Sequence, residues 1–337
     1  MSTAVAEPRA ASAAHPDCLY CGGRDLDVLF TGVRDRLGHV PGERTFLRCR
    51  ACGSAVLDPL PRTNELPDFY PQVYTFSAKG HGGGRLRKAL AAVEYRLFFA
   101  PQYRTQVRAV TRACGAAGAG RKLLDVGCGH GLRLLEFRRL GFDVHGLDLQ
   151  PEAVEYLRTE LKVPAECGDV TELPRLYPPG SFDVVTSFYL LEHVPDVAGV
   201  LAAMAAALRP GGWLVAAVPL LDSAQGRVFG QRSVNVTEAP RHLSIPTRAG
   251  VLAAVRAAGF TDARVLPDAV LVCAGLVGLS VIPGANATRA YAGGRLMALA
   301  ARAVGAGVAA AAVPWCLVEN HVLRRPPLGI VVARKGG

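Results

Sequence analysis

Lysine is scarce in this chain, and no run of five or more basic residues occurs. Only five of the 38 basic residues are lysines, and the arginines that dominate the formal charge of +10 are scattered. Scattered arginines are typical of a solvated surface rather than of a nucleic-acid footprint, which is usually a concentrated basic patch. The second interpretation of this charge is that it binds anionic substrates or membrane phosphates.

The N-terminus lacks the apolar core of a secretory signal. Residues 1–16 are rich in Ala, Ser and Pro without apolar periodicity, which predicts a disordered tail. The cytoplasm is therefore the expected location. The length of 337 residues suits a catalytic domain plus a small module. We expect the module at 17–60, a linker with N-terminal helices at 61–114 and the catalytic domain at 115–337.

Two Cys-x-x-Cys pairs stand near the N-terminus, and a glycine follows each of them. Cys18 and Cys21 form the first pair, and Cys49 and Cys52 form the second. Two such pairs can close a tetrahedral thiolate shell around Zn²⁺, and four protein ligands saturate the ion, so we expect a structural zinc. Two disulfides or four unrelated thiols are the alternative, which a cytosolic context disfavours.

The stretch at 123–131, Leu-Leu-Asp-Val-Gly-Cys-Gly-His-Gly, is the most informative of the chain. Its short apolar run ends in Asp125 and three alternating glycines, and apolar residues with helical spacing follow. This pattern predicts a buried strand, a glycine turn and a helix whose free N–H groups face a ligand. Leu132 stands where the dinucleotide-binding Gly-x-Gly-x-x-Gly pattern needs its last small residue, which disfavours a dehydrogenase.

Further strands follow at regular intervals. A second strand ends in Asp148, 23 residues after Asp125, and an acid there can accept hydrogen bonds from two ribose hydroxyls. A third strand precedes Asp169, a fourth lies in 181–191, and Gly211 opens a fifth. We place the sixth strand at 263–270 and the seventh at 329–335.

These features resemble class I S-adenosylmethionine-dependent methyltransferases over roughly residues 110–265. The matching residues are Asp125–Gly131, Asp148, Gly168–Val170, Leu191–Val194 and Leu208–Gly212. The resemblance implies an α/β fold with a Rossmann-like seven-stranded sheet and helices on both faces. It also implies a bound S-adenosylmethionine: the glycine turn contacts its methionine part, Asp148 binds the ribose, and Asp169 with Val170 borders the adenine. The expected cofactor-binding residues are Asp125, Gly127, Cys128, Gly129, Gly131, Asp148, Leu149, Asp169, Val170 and Phe188.

The residues that assist methyl transfer should follow the carboxyl ends of the strands, where open α/β sheets bind ligands. Tyr189, Glu192 and His193 follow the fourth strand, and His242 lies in the long connection after the fifth. We take these four as catalytic candidates, with His242 as the leading general base because its ordinary pKa is near neutral. A structural histidine is the alternative, and Arg241 is a candidate anchor for an anionic acceptor.

The linker region resembles zinc-bearing methyltransferases of carbohydrate and secondary-metabolite pathways. They often carry a Pro-x-Pro…Tyr-Pro-x-x-Tyr segment after the second cysteine pair, and here it includes Tyr70 and Tyr74. The two tyrosines could reach the active site or pack the linker onto the catalytic domain.

An apolar segment of about 271–327 separates the last two strands. Core or dimer-interface helices, a hydrophobic acceptor tunnel and a membrane-surface contact are three interpretations of it. The last two would suit a lipid-linked acceptor.

The sequence as a whole predicts a methyltransferase that acts on a small-molecule or glycan-type acceptor, with oxygen as the expected nucleophile. A ribosomal RNA base methyltransferase with a zinc ribbon is an alternative, but no Asn-Pro-Pro-Tyr-like motif follows the fourth strand. A sugar C-methyltransferase is another, although those enzymes carry an extra C-terminal domain. The intact acidic and glycine positions disfavour a non-catalytic scaffold.

Overall fold

The computed structural model describes residues 16–70, 96, 99–115, 118–281 and 295–336, with backbone alone for 295–302. Several predictions fall outside these residues: the tail at 1–15, the helical stretch before residue 96 and the position of Tyr74. The domain boundaries predicted from the sequence stay predictions.

Eleven strands and ten α-helices lie in the described part of the chain. The strands are β1 (Leu26–Arg34), β2 (Glu43–Cys49), β3 (Ala55–Asp58), β4 (Lys122–Val126), β5 (Asp143–Asp148), β6 (Ala165–Cys167), β7 (Phe182–Phe188), β8 (Leu208–Pro219), β9 (Ser244–Ile245), β10 (Phe260–Pro267) and β11 (Leu328–Lys335). The helices are α1 (Ala100–Cys114), α2 (Leu132–Arg139), α3 (Pro151–Thr159), α4 (Leu173–Leu176), α5 (Val197–Ala207), α6 (Ala224–Phe229), α7 (Val234–Thr237), α8 (Arg248–Ala257), α9 (Val270–Val281) and α10 (Arg295–Leu317). Short 3₁₀ helices include Leu191–His193, and a π-helix spans Val318–Val322.

A seven-stranded sheet forms the centre of the fold, with strand order β10-β11-β8-β7-β4-β5-β6. The pairs β4–β5, β4–β7, β5–β6 and β7–β8 are parallel, whereas β11 runs antiparallel to both of its neighbours. The chain reverses direction along the sheet between β4 and β7, and in open α/β sheets such a switch point opens the crevice that binds ligands. The predicted seven-stranded α/β sheet is confirmed.

Alternate residues of the central strands enter two separate apolar cores. Leu124, Val185 and Leu214 face one core, which α5 and α8 cover. Their neighbours Leu123 and Val215 face the other, which α1, α2 and α3 cover. The central strands are almost entirely apolar because both faces of the sheet are buried.

The cysteine-bearing module has its own antiparallel sheet, of order β1-β2-β3-β9. Its last strand comes from far along the chain, since Ala55 pairs with Ile245 and Val56 with Ser244. Leu57 and Leu243 also share one apolar cluster. The module and the α/β part of the chain are therefore joined by a common sheet and a common core.

The structure corrects several predicted boundaries. The fifth strand begins at Leu208 rather than Gly211, because Leu208 already pairs with Phe182 of β7. The sixth strand is Phe260–Pro267, shifted toward the N-terminus, since Val270 already begins an apolar helix. Pro101 lies in the first turn of α1, where a missing backbone N–H costs nothing.

The apolar segment between β10 and β11 forms a helical hairpin of α9 and α10. Small side chains, among them Ala274, Ala309 and Ala312, fill the contact between the helices. At Gly278 a Cβ atom would lie 2.7 Å from the carbonyl oxygen of Gly305, so glycine permits this close approach. Residues Ala303–Val322 are long and apolar enough to cross a membrane, with a mean hydropathy of 1.3, but this criterion considers length and composition alone.

Glycine at position 250 is required where α8 contacts the cysteine-bearing module. A Cβ atom there would lie 2.1 Å from Ser54 Oγ. We expect Gly250→Ala to lower the free energy of unfolding by about 1–3 kcal/mol through overpacking, measured by denaturant titration. The matched control is Gly307→Ala in α10, where nothing lies within 4 Å of the added carbon. It should raise stability by about 1 kcal/mol through helix propensity. Equal effects of the two changes would contradict the argument.

Candidate functional site

The glycine turn lies between β4 and α2, at the carboxyl edge of the sheet. Gly127, Gly129 and Gly131 have φ values of 71°, 50° and 66°. All three occupy the left-handed region, which side chains with a Cβ rarely adopt. At Gly131 a Cβ would also lie only 3.1 Å from Leu157. The alternating glycines therefore reflect the backbone conformation that turns the strand into the helix.

Asp148 stands at the end of β5 and holds this turn in place. One of its carboxylate oxygens accepts a hydrogen bond from the Gly129 N–H at 2.8 Å, and the other accepts from the Gln150 N–H at 3.0 Å. Each oxygen keeps a second lone pair for a ligand hydroxyl. The neighbouring Leu149 side chain is 64% exposed.

Asp169 follows the short strand β6 and caps a 3₁₀ helix. Its carboxylate accepts hydrogen bonds from the backbone N–H of Thr171 at 2.8 Å and from the Thr171 hydroxyl at 2.6 Å. Glu172 in turn accepts from the Asp169 N–H at 3.0 Å. Val170 and Phe188 are buried, and the Arg133 guanidinium lies 4.8 Å from the Phe188 ring centroid.

Asp125 is a buried carboxyl group at the base of the turn. One oxygen accepts from the Thr186 hydroxyl at 2.7 Å, and the other has no hydrogen-bond partner in the described part of the chain. Burial raises the pKa of Asp125 to about 6. Cys128 beside it is buried, and burial raises the pKa of its thiol. An unpartnered buried oxygen is costly and is typical of a binding position.

Tyr189 follows β7 directly and has a left-handed φ of 62°. Its hydroxyl donates to Asp268 at 2.5 Å and accepts from the Gln102 amide at 2.8 Å. Gln106 also donates to Asp268, at 2.8 Å. This network ties the end of β7 to α1 and to the base of the helical hairpin.

His193 and His242 are brought together although 48 residues separate them. Their ring centroids lie 4.8 Å apart in an edge-on arrangement. The Nδ1 atom of His193 lies 2.9 Å from the carbonyl oxygen of Arg241, and that of His242 lies 2.7 Å from the carbonyl oxygen of Asn235. A carbonyl can only accept, so both Nδ1 atoms carry the proton and both Nε2 atoms keep a lone pair. Burial lowers the pKa of His193 to about 3 and that of His242 to about 4.

Glu192 completes this cluster. Its side chain is 1% exposed, burial raises its pKa to about 8, and its Oε2 atom has no hydrogen-bond partner among the described residues. Three possible ligand atoms, one each from Glu192, His193 and His242, lie within 4.8 Å of one another. The three side chains could therefore also hold a metal ion. All four predicted catalytic residues follow the carboxyl ends of the strands, but Tyr189 bonds to Asp268 and not to this cluster.

Arg241 is not available to an acceptor. Its side chain is fully buried, and its guanidinium forms ion pairs with Asp35 at 2.6 Å and Glu238 at 3.1 Å. The structure therefore does not support the alternative role of Arg241 as an anion anchor. The hydroxyl of Tyr70 lies 3.0 Å from His193 Nδ1, so the first tyrosine of the linker does reach the candidate site.

The four cysteines of the two pairs converge as the spacing predicts. Their sulfur atoms lie within 4.8 Å of one another, with Cys18–Cys52 and Cys21–Cys49 each at 3.5 Å. Tetrahedral zinc with Zn–S bonds of about 2.3 Å needs sulfur separations of about 3.8 Å, so the site fits the ion. Gly22 and Gly53 have φ values of 69° and 75°, which supports the expected role of the glycines in the turns.

A model of the methyltransferase domain family matches residues 97–265, half of the chain. The chain belongs to this family. The predicted methyltransferase domain is thereby confirmed, whereas the match does not include the cysteine-bearing module.

Curated relatives match only a part of the methyltransferase domain. Ubiquinone biosynthesis O-methyltransferase of Thiobacillus denitrificans is 42% identical over 101 residues, which are 28% of this chain and 43% of that protein. The protein of the same name from Albidiferax ferrireducens is also 42% identical over 101 residues, 28% of this chain and 40% of its own. The chain therefore spans about two fifths of the length of these relatives.

Solved structures resemble the chain more distantly. Phosphoethanolamine N-methyltransferase 2 of Haemonchus contortus, in complex with S-adenosyl-L-methionine, has a TM-score of 0.46 and 18% identity. The match covers 69% of this chain and 53% of that one.

Sequence reasoning missed several residues that shape the site. Tyr20, between the first two cysteines, is buried with its hydroxyl 3.4 Å from Ser244 Oγ. Burial raises the pKa of Tyr20, and the nearby Glu192 adds to the rise. Asp35 and Asp268 are likewise distant in sequence from the residues they bind. No local pattern marks them, because their roles depend on contacts across the fold.

Zinc binding can be tested by metal analysis of the purified protein. We expect about one zinc per chain, and we expect Cys49→Ser to lose the metal and the hydrogen-exchange protection of residues 18–60. Cys167→Ser, at an exposed cysteine outside the cluster, is the control and should change neither. A metal-free protein with a fully protected module would contradict the assignment.

The raised pKa of Glu192 predicts a pH-dependent stability. The folded protein keeps this carboxyl protonated up to about pH 8, whereas the unfolded chain ionises it above its ordinary value of 4.5. Between these two pKa values the folded state binds more protons than the unfolded chain. The contribution of Glu192 to stability is therefore greatest below pH 4.5 and falls as the pH rises to 8. At pH 7.5 and above, both histidines are neutral in the folded protein and largely neutral in the unfolded chain, where their ordinary pKa is 6.5.

Thermal melts of the zinc-loaded protein should therefore show a Tm that falls from pH 7.5 to 8.5, and Glu192→Gln should remove most of this fall. Glu155→Gln, at an exposed glutamate of α3, should leave the slope unchanged. A slope that persists in Glu192→Gln would show that another group causes it.

Proposed function

We propose that this protein transfers a methyl group from S-adenosylmethionine to an oxygen atom of a small-molecule acceptor. The observation that carries the proposal is the joint arrangement at the carboxyl edge of the sheet. There the glycine turn held by Asp148 follows β4, and the cluster of Glu192, His193 and His242 follows β7 and β8. The ubiquinone biosynthesis O-methyltransferases that match the domain support an oxygen nucleophile.

The residues around the turn fit the cofactor that we propose. Asp148 has lone pairs left for the ribose hydroxyls, and the unpartnered oxygen of Asp125 can accept a hydrogen bond from the ammonium group of the methionine part. The glycines at 127–131 allow close approach of the backbone, and Leu149 and Val170 offer apolar surface for the adenine. When bound, S-adenosylmethionine supplies a methyl group on a sulfonium centre. The protein's part is to position the acceptor and receive its proton.

His242 is our proposed proton acceptor, with His193 beside it. Both Nε2 atoms keep a lone pair, and the lowered pKa values keep both rings neutral at physiological pH. A base of low pKa removes a proton most readily from an acidic hydroxyl, so a phenol or an enol is the acceptor class that this site favours. Glu192 is protonated at neutral pH and can donate a hydrogen bond to an acceptor oxygen.

The zinc module has a structural role in this proposal. Four thiolates leave no coordination position for a substrate, and the module's Tyr20 and Asp35 contact the elements that carry the candidate site. A glycan-type or lipid-linked acceptor, a homodimer and a cytoplasmic location stay predictions. A nucleic-acid acceptor is not favoured, because the basic residues of the chain are scattered.

Two substitutions separate catalysis from cofactor binding. We expect His242→Ala to lower turnover by about 10²–10⁴-fold, since general base catalysis is lost, with little change in the Kd of S-adenosylmethionine. Asp148→Ala should weaken cofactor binding itself, because both the ribose acceptor and the support of the turn are lost. Calorimetric titration gives the Kd, and transfer of isotopically labelled methyl groups gives the turnover. An unchanged turnover in His242→Ala would place the base elsewhere.

The acceptor can be found by incubating a cell extract with the protein and S-adenosylmethionine that carries an isotopically labelled methyl group. Mass spectrometry should detect the label on a phenolic or enolic oxygen of a small molecule. Label on nitrogen or carbon, or in RNA, would contradict the proposed reaction. The Asp148→Ala protein is the matched control and should transfer little label.

A further inference from the structure

Four arginines surround a cavity of about 280 Å³ near the ends of β8 and β11. We call this the arginine pocket and define it by Arg227, Arg248, Arg324 and Arg325. Asp222 is the one acidic residue of its lining, and its carboxylate accepts a hydrogen bond from the Arg248 backbone N–H at 3.0 Å. Within the described ranges, none of the four guanidinium groups lies in an ion pair. The lining therefore has an excess of three positive charges.

An exposed apolar surface leads to this pocket. The apolar strip consists of Trp315, Leu317, Val318, Val322 and Leu323, whose side chains are between 40% and 71% exposed. Leu323 belongs to both features, since it also lines the cavity. Only 28% of the apolar window in Ala303–Val322 is buried, whereas the core helix of a soluble protein is mostly buried. Tryptophan and arginine next to apolar side chains are typical of a membrane–water interface.

The opposite side of the segment Ala303–Val322 packs against the rest of the protein. Glu319 is fully buried and accepts hydrogen bonds at 2.8 Å from both the backbone N–H and the side-chain amide of Gln225. Cys316 packs against Cys273 and Ala274 of α9. Spanning a bilayer would break these contacts and expose a carboxyl group to lipid. The helix can therefore contact a membrane surface while it stays packed on the domain.

We propose that the arginine pocket and the apolar strip together bind the surface of an anionic phospholipid membrane. The guanidinium groups receive a lipid phosphate, and the strip lies among the upper parts of the acyl chains. Charge complementarity favours this occupant: a cavity with an excess of three positive charges adjoins the strip, and lipid phosphates provide the missing anions. The proposal goes beyond methyl transfer and holds whichever acceptor the enzyme uses.

The test is co-sedimentation of the full, zinc-loaded chain with vesicles of phosphatidylcholine, alone or mixed with phosphatidylglycerol. We expect binding to the mixed vesicles that weakens with salt. Each arginine near an anionic surface contributes about 1 kcal/mol, so the double variant Arg324→Gln/Arg325→Gln should bind roughly 30-fold more weakly. Arg256→Gln, at an exposed arginine of α8 outside the pocket, is the matched control and should bind normally. Val322→Asn, which alters only the strip, should also weaken binding.

A fluorescence measurement gives an independent readout. The chain has two tryptophans, so in Trp213→Phe the only reporter is Trp315. Its emission should shift to shorter wavelength with the mixed vesicles and stay unchanged with phosphatidylcholine alone. Thermal melts should show that all variants are folded.

Three outcomes would overturn the proposal. One is the absence of vesicle binding, and another is vesicle binding that does not depend on Arg324 and Arg325. The third is a dimer in light scattering that dissociates in Val322→Asn, which would assign the strip to a second copy of the chain. If inorganic pyrophosphate bound in the arginine pocket and the protein did not bind vesicles, the ligand of the pocket would instead be a soluble phosphate. Methyl transfer is measured separately, so its failure would leave these results interpretable.

Discussion

The ion pair between Arg241 and Asp35 is the interaction on which the candidate site depends. Both side chains are almost fully excluded from solvent, at a distance of 2.6 Å, and Glu238 shares the guanidinium. Removal of one partner from such a pair leaves a buried charge uncompensated, which costs about 3–5 kcal/mol. The pair joins the cysteine-bearing module to the connection after β8. That connection carries His242 on one side of Arg241 and, just beyond it, the strand β9.

This arrangement explains why the module contributes to the candidate site. β9 completes the module's sheet, and the carbonyl oxygen of Arg241 orients the His193 ring. Tyr20 extends from the first cysteine turn toward Ser244 and Glu192. The zinc ion that we propose for the two cysteine turns would therefore also fix the wall behind the histidines.

Much of the site could be predicted from the local sequence, because its turns are formed by residues that are neighbours in the chain. The three glycines at 127–131 reflect left-handed backbone angles, and each Cys-x-x-Cys turn brings two sulfur atoms close together. The role of Arg241 could not be predicted, since a basic residue next to a candidate base suggests an anion anchor until its partners are known. The sixth strand was misplaced for a similar reason: an apolar run at 263–270 fits both a strand and the helix that begins at Val270.

The sequence by itself determined the family, the seven-stranded sheet and the residues at the carboxyl ends of its strands, because strand, turn and helix patterns act over a few residues. Only the tertiary structure decided that His193 and His242 meet, that both rings are kept neutral by burial, and that Arg241 faces inward. It also decided that one side of the last helix is packed while the apolar strip is exposed. These features depend on contacts between residues far apart in the chain, and the desolvation that sets their chemistry exists only once the fold has closed around them.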